Sequence, residues 1–290
     1  MKKVFTLLTL TFLICNTAYS QDAISIPDTL QGWETSWSVG LNGSQASYSN
    51  WSQGGVNNIA VSGNSGFSIN YKEGRIAYGF LLTTRYGKSK IENEGVRKID
   101  DRLSIRNRVL YDLGDDEGDF KLFGNVNFRT QFDKGFEYGA GPNGEDILIS
   151  EFMAPGYLSE NIGLAYVPSD FFSFEAGLGL QQTFVRNETL SETYGLDAGE
   201  TFRNEAGLTF GIGYQRKVAA NLSYSTNLET FTNLNKTVSS TDLYFANQIT
   251  GRINSFMNAS LRFDLAFDDD FSEEVQVAQI LSLGVSFTLL

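Results

Sequence analysis

The chain has 290 residues, a formal charge of −12, a single cysteine and no histidine. So acidic a polypeptide does not suit a nucleic-acid partner. The lack of histidine removes the commonest general base and the commonest metal ligand together, so the expectation is a non-enzyme with no catalytic residue, no metal ligand and no cofactor.

Residues 1–20 read as a secretory signal: Lys2-Lys3, an apolar run from Val4 to Ile14, then Ala18-Tyr19-Ser20, with cleavage expected near Ser20/Gln21. The run is too short to span a bilayer. Cys15 lies inside it, and Ile14 before it is not the small residue a lipoprotein signal needs. The mature chain is therefore expected to have no thiol, and losing Lys2 and Lys3 leaves 20 basic against 34 acidic residues, a charge of −14. Residues 21–32 are expected to form a short periplasmic segment ahead of one domain over 33–290.

From Trp33 onward apolar and polar residues alternate with period two, the pattern of strands with two unlike faces. The first segments are Trp37/Val39/Leu41, Phe67/Ile69/Tyr71, Ile76 to Tyr86, Leu103 to Tyr111 and Phe120 to Phe132. Then come segments around Ile162/Leu164/Tyr166, Phe172 to Phe184, Leu208 to Tyr214 and Leu222 to Leu228. The last three are Leu243 to Ile253, Leu261 to Phe267 and Leu281 to Leu289. About twelve strands result. Short connections are read at 71–75, 114–119, 167–171, 214–217 and 254–258, and long ones near 43–57, 87–100, 133–157, 186–202, 231–241 and 268–276.

The predicted fold is all-β: a single antiparallel up-and-down transmembrane β-barrel with short periplasmic turns and long extracellular loops. The apolar faces carry no charge apart from Glu160 at one rim, whereas the opposite faces hold Gly, Ser, Asn, Gln and scattered Arg, Lys and Glu. No helical layer is available to cover the apolar side, so hydrocarbon is the expected solvent, and closure satisfies every strand edge there. Tyr71, Tyr111, Phe120, Tyr166, Phe172 and Tyr214 beside short turns, and Tyr86, Phe132, Phe184 and Phe267 beside long loops, are placed to form two aromatic girdles. The expected location is the outer membrane, in contact with its lipid and lipopolysaccharide.

The first long loop, with Ser49-Asn50-Trp51, Gly54-Gly55 and Asn57, taken with the signal peptide and the closing "LGVSFTLL", resembles an uncharacterised family of predicted outer-membrane barrel proteins common in Bacteroidetes. The resemblance runs roughly from Trp33 to the C-terminus and implies fold and location but no activity. The chain departs from the usual final Phe of such barrels: Leu290 is last and Phe287 lies three residues earlier. Within the loop, Gly54 and Gly55 permit close backbone approach, and Asn50, Asn57 and Asn58 can bond neighbouring backbone. Trp51 either tucks the loop against the barrel mouth or offers a stacking face to a ligand.

On the polar face, Arg85, Arg106, Arg108, Lys121 and Arg129 fall on three adjacent strands, and Glu175, Glu205 and Glu229 on another three. A basic wall facing an acidic wall across the lumen gives a transverse field like that of a pore constriction. Alternatively the groups reach across, pair and fill the interior. Arg252, Arg262 and Asp264 read as a structural cluster. The acidic runs "GDDEGD" and "DDDFSEE" lack the spacing of a calcium loop. The leading expectation is passive or gated passage of small polar solutes; the alternative is a closed barrel with a structural or surface-interaction role.

Overall fold

The computed structural model describes residues 24–47, 57–114, 118–268 and 272–290. Residues 1–20, read above as a secretory signal, and the loop residues Asn50, Trp51, Gly54 and Gly55 lie outside the described residues. In chain order the strands are β1 (Gly32–Ala46), β2 (Asn58–Glu73), β3 (Ile76–Ile91), β4 (Gly95–Asp112), β5 (Phe120–Thr130), β6 (Gly135–Glu137) and β7 (Ile147–Ser150). They continue as β8 (Gly156–Ser169), β9 (Phe172–Phe184), β10 (Phe202–Ala219), β11 (Leu222–Asn233), β12 (Asp242–Arg252), β13 (Met257–Asp268) and β14 (Ser272–Thr288).

β1 to β5 and β8 to β14 close into one antiparallel barrel of twelve strands, while β6 and β7 form a separate two-stranded ribbon between β5 and β8. The seam between first and last strand runs from Ser38 opposite Thr288 to Asn42 opposite Gly284. Each periodic segment of the sequence falls on one barrel strand, with Phe132, Ile253 and Leu289 just past the ends of β5, β12 and β14. Three connections differ from expectation; the long one anticipated over 268–276 leaves only residues 269–271 between β13 and β14, because Asp268 pairs with Ser272. The long loop anticipated over 87–100 is a tight turn, because Lys88 to Ile91 pair with Gly95 to Lys98; Lys88, Ser89 and Lys90 break the apolar alternation, but the ladder needs only their backbone. The turn anticipated at 214–217 instead lies at Ala220-Asn221, since β10 continues past its last apolar aromatic through an irregularity between Lys217 and Ala219.

The outward face is apolar, with Trp33, Ile162, Leu178 and Leu281 all more than half exposed. Two amide oxygens on this face are bonded by neighbouring tyrosines: the Tyr78 hydroxyl donates to Asn107 Oδ1 at 2.9 Å, and that of Tyr224 to Asn247 Oδ1 at 2.9 Å. Glu160 also faces outward, between Val126 and Leu180 of the neighbouring strands. Aromatic pairs mark the rims. Trp33–Tyr71 (4.5 Å) and Phe120–Tyr166 (5.0 Å) lie at the end bearing the short turns, and Phe184–Phe202 (5.2 Å) lies at the opposite, loop end. A closed ladder with an apolar exterior, Glu160 apart, and aromatic rims is the arrangement a bilayer demands.

At the loop end, the connections over 131–155 and 185–201 share a small core of Ala154, Val185, Leu190, Tyr194 and Leu196, with Leu148 packed against it. Tyr194 donates to the Ile149 carbonyl at 2.7 Å. The first of these connections is pinned to the β3–β4 hairpin by Asp101, which accepts the backbone N–H of Phe132 and Asp133, both at 2.8 Å. Asp133 in turn accepts from the Tyr86 hydroxyl and the Lys134 backbone and pairs with Lys88, which together hold its carboxyl down at about 2.

Candidate functional site

The alternation that turns apolar residues outward turns the polar set into the lumen, where three levels can be followed from the turn end upward.

The lowest is built by residues ahead of β1. Ile26 packs against inward-facing Ala77, Leu110, Phe123 and Ala165, an apolar floor on β3, β4, β5 and β8. Gly79 leaves room for Ile24, since a Cβ there would collide with the Ile24 side chain. Asn70 donates to the Ser25 carbonyl at 3.3 Å. Asp28 completes the tether: its Oδ1 lies 2.8 Å from Lys72 Nζ and 3.2 Å from Lys121 Nζ, and Lys121 also pairs with Asp112 at 2.7 Å.

Burial acts to raise the Asp28 carboxyl, but Lys72 and Lys121 outweigh it and hold the group below its usual 3.8. A carboxyl lowered on docking contributes its tethering fully above 3.8 and loses it as pH falls through the lowered value. A spin label on Ser25→Cys is therefore expected to be immobile at pH 7 and mobile at pH values below that lowered range, and Asp28→Asn to make it mobile at both. A label that stays immobile in Asp28→Asn would refute the tether.

The next level is a pair of cross-lumen bridges. Arg106 Nη1 on β4 meets Glu229 Oε1 on β11 at 3.0 Å. Those strands are separated by β5, β8, β9 and β10 along one arc of the barrel, so the pair spans the lumen. Arg108 Nη2 reaches Glu175 Oε1 on β9 at 2.5 Å, with Asn125 donating to the other carboxylate oxygen at 3.3 Å. Both bridges leave the opposite arc free. There β1 and β2 present only Ser36, Ser38, Gly40, Asn64, Gly66 and Ser68 at the corresponding inward positions.

Around and above the bridges is a cavity of ≈ 530 Å³ that reaches down to Ile24 and is lined among others by Arg102, Arg129, Tyr157, Tyr244, Asp242 and Asp268. The Arg129 guanidinium sits over the Tyr157 ring at 4.8 Å from its centroid, and Arg102 lies 6.0 Å from the Tyr244 ring. Tyr194, from the loop core, closes part of the roof.

Of the charges expected in the lumen, Arg106, Arg108, Arg129, Glu175 and Glu229 line this cavity. Three others sit elsewhere. Arg85 lies 3.5 Å from Asp100 near the loop end. Lys121 belongs to the floor. Glu205 is buried against Arg203 (3.0 Å) and Asn233 (2.7 Å). Arg262 and Asp264 form the expected local pair at 2.7 Å, joined by Tyr244, while Arg252 stands apart at the turn end of β12. In the loop motif, Asn57 is described, and its carbonyl accepts the Glu92 N–H at 2.9 Å. Sequence reading did not single out Arg102, although it shares the parity of Arg106 and Arg108. Asp28 carried no periodic signal at all. Among the described residues no cluster of three or more His, Cys, Asp or Glu could hold a metal ion.

Residues 44–136, less than half of the chain, match the model of a family described as a protein of unknown function (DUF3078). No curated protein matches. Among solved structures, the chain is similar to the translocator domain of the autotransporter NalP from Neisseria meningitidis, with 14% identity, a TM-score of 0.41, and 90% of this chain and 89% of that one covered. An outer membrane channel from Pseudomonas putida F1 gives 10% identity, a TM-score of 0.42 and coverage of 92% and 98%. The outer membrane channel DcaP of Acinetobacter baumannii gives 8% identity, a TM-score of 0.36 and coverage of 89% and 98%. Likeness of this degree carries no conclusion about cargo.

Proposed function

We propose that this outer-membrane β-barrel is a gated channel for small polar solutes, oriented with its short turns in the periplasm and its long connections outside the cell. The observation that supports the reading is the ≈ 530 Å³ cavity in the lumen, which is lined by the ion-paired Arg106, Arg108, Glu175 and Glu229 and reaches down to Ile24 of the short segment ahead of β1. Ion pairs between flexible side chains can part, and β1 and β2 present no charge at the level of the bridges. In this reading the Arg106–Glu229 bridge is the constriction, and residues 24–31 are the gate below it.

The test is conductance in planar bilayers. Arg106→Ala together with Glu229→Ala removes both ends of the bridge without leaving a lone charge, so it is expected to raise the single-channel conductance severalfold. The single Arg106→Ala change strands Glu229 and should shift selectivity toward cations. Absence of conductance steps in the wild type and in the double variant would sink the channel reading. It would favour the second one, a closed barrel with a structural role in the envelope, for which the observation is that same bridge together with the docked N-terminal segment.

A further inference from the structure

We propose that Arg129 is the docking residue for an oxyanion group, a carboxylate or phosphate, carried by a small solute in the lumen cavity. This deepens the channel reading and rests on it for the route by which the solute arrives.

Three features converge on Arg129. First, it differs from Arg106 and Arg108, which line the same cavity. Arg106 is committed to Glu229 and Arg108 to Glu175, whereas no carboxylate among the described residues pairs with Arg129, which is exposed to the cavity space. Second, it is held in place. Tyr157 lies directly opposite it in the β5–β8 ladder, and the guanidinium rests 4.8 Å from the centre of that ring. Stacking occupies one face of the planar ion and leaves the N–H groups along its edge to meet two oxygens side by side, the bidentate geometry in which Arg recognises carboxylate and phosphate. Third, the field across the cavity is directional. Arg102 and Arg129 enter from the adjacent strands β4 and β5, and Asp242 and Asp268 from β12 and β13 on another arc. An anionic end is drawn toward Arg129 and away from the aspartates, so the solute is oriented as well as held. The aspartates also disfavour a second negative group at its other end.

The test uses the mature full-length chain in detergent. Binding of succinate and of inorganic phosphate is measured by titration calorimetry against a chloride background, and conductance is recorded on the same preparations. Replacing the charged fork by a neutral side chain is expected to weaken oxyanion binding about tenfold or more in Arg129→Gln. Arg216→Gln, which alters a guanidinium stacked on Phe171 at the turn end, should leave it unchanged. Tyr157→Leu removes the platform but keeps the charge and should weaken binding severalfold, which keeps the proposal open to refutation if Arg129→Gln fails to fold. Preference for succinate assigns a carboxylate solute and preference for phosphate a phosphorylated one. Oxyanion binding equal in wild type and Arg129→Gln, or absent from folded wild type, overturns the proposal. Arg129-dependent binding without conductance leaves the site standing and removes the channel reading; conductance without Arg129-dependent binding does the reverse.

Discussion

Ile162→Arg is expected to destabilise the folded barrel by about 2–4 kcal/mol in phospholipid vesicles, read from guanidinium unfolding, because it places a guanidinium near the bilayer midplane. Ile162 sits in the middle of β8, facing outward at 66% exposure with Leu122 and Val126 of β5 and Leu178 of β9 beside it; the change is made in a Glu160→Gln background, because Glu160 lies two residues away on the same face and would pair with the new guanidinium. The control is Ser38→Arg on β1, where the side chain points into the lumen and meets water; there the change should be small. The contrast isolates the solvent on each face. Equal tolerance at both positions would mean that Ile162 faces water, and the membrane reading of the exterior would fail with it.

Removing residues 24–31 is expected to produce the largest change in conductance. The deletion withdraws Ile24 and Ile26 from the apolar floor and takes Asp28 away from Lys72 and Lys121. Lys121 retains Asp112, but Lys72 loses the one carboxylate that the described structure gives it. The lumen should therefore widen at this end and the current carry a larger anion fraction, a severalfold rise in conductance with a shift in reversal potential. Unchanged conductance in a barrel of native stability would show that the segment does not limit the pore.

These two experiments probe parts of the molecule that differ in how legible they were from sequence. The twelve strands and the face each residue occupies follow from local alternation. Ile76 to Tyr86 could be placed outward and Arg85, Arg106 and Arg108 inward without any tertiary knowledge, because side chains on a strand alternate strictly. The same rule, applied to every position, would also have placed Arg102, Asp112 and Tyr157 inward. Partners across the lumen were not legible. Whether Arg106 meets Glu229 depends on how far each strand is staggered against the next around the barrel, and that stagger accumulates over several ladders. It has no signature in either segment. Loop boundaries failed for a related reason: the β3–β4 hairpin continues through Lys88 and Lys90, where backbone bonding persists after the burial pattern has ended. The docked segment was invisible because Ile24, Ile26 and Asp28 have no period; only the cavity over Gly79 and the two lysines define their place.

The joint between β1 and β14 has a consequence for how the molecule comes into being. It brings Ser38 against Thr288, nearly the full chain apart, over a register ending at Asn42 and Gly284. Loop-closure entropy for such a contact is the greatest in the protein, and few hydrogen bonds offset it. Eleven hairpin ladders can zip between sequence neighbours, but the cylinder itself is committed only when the final residues arrive, so biogenesis is slowest at its last step, and the unclosed sheet must be shielded at both margins until then.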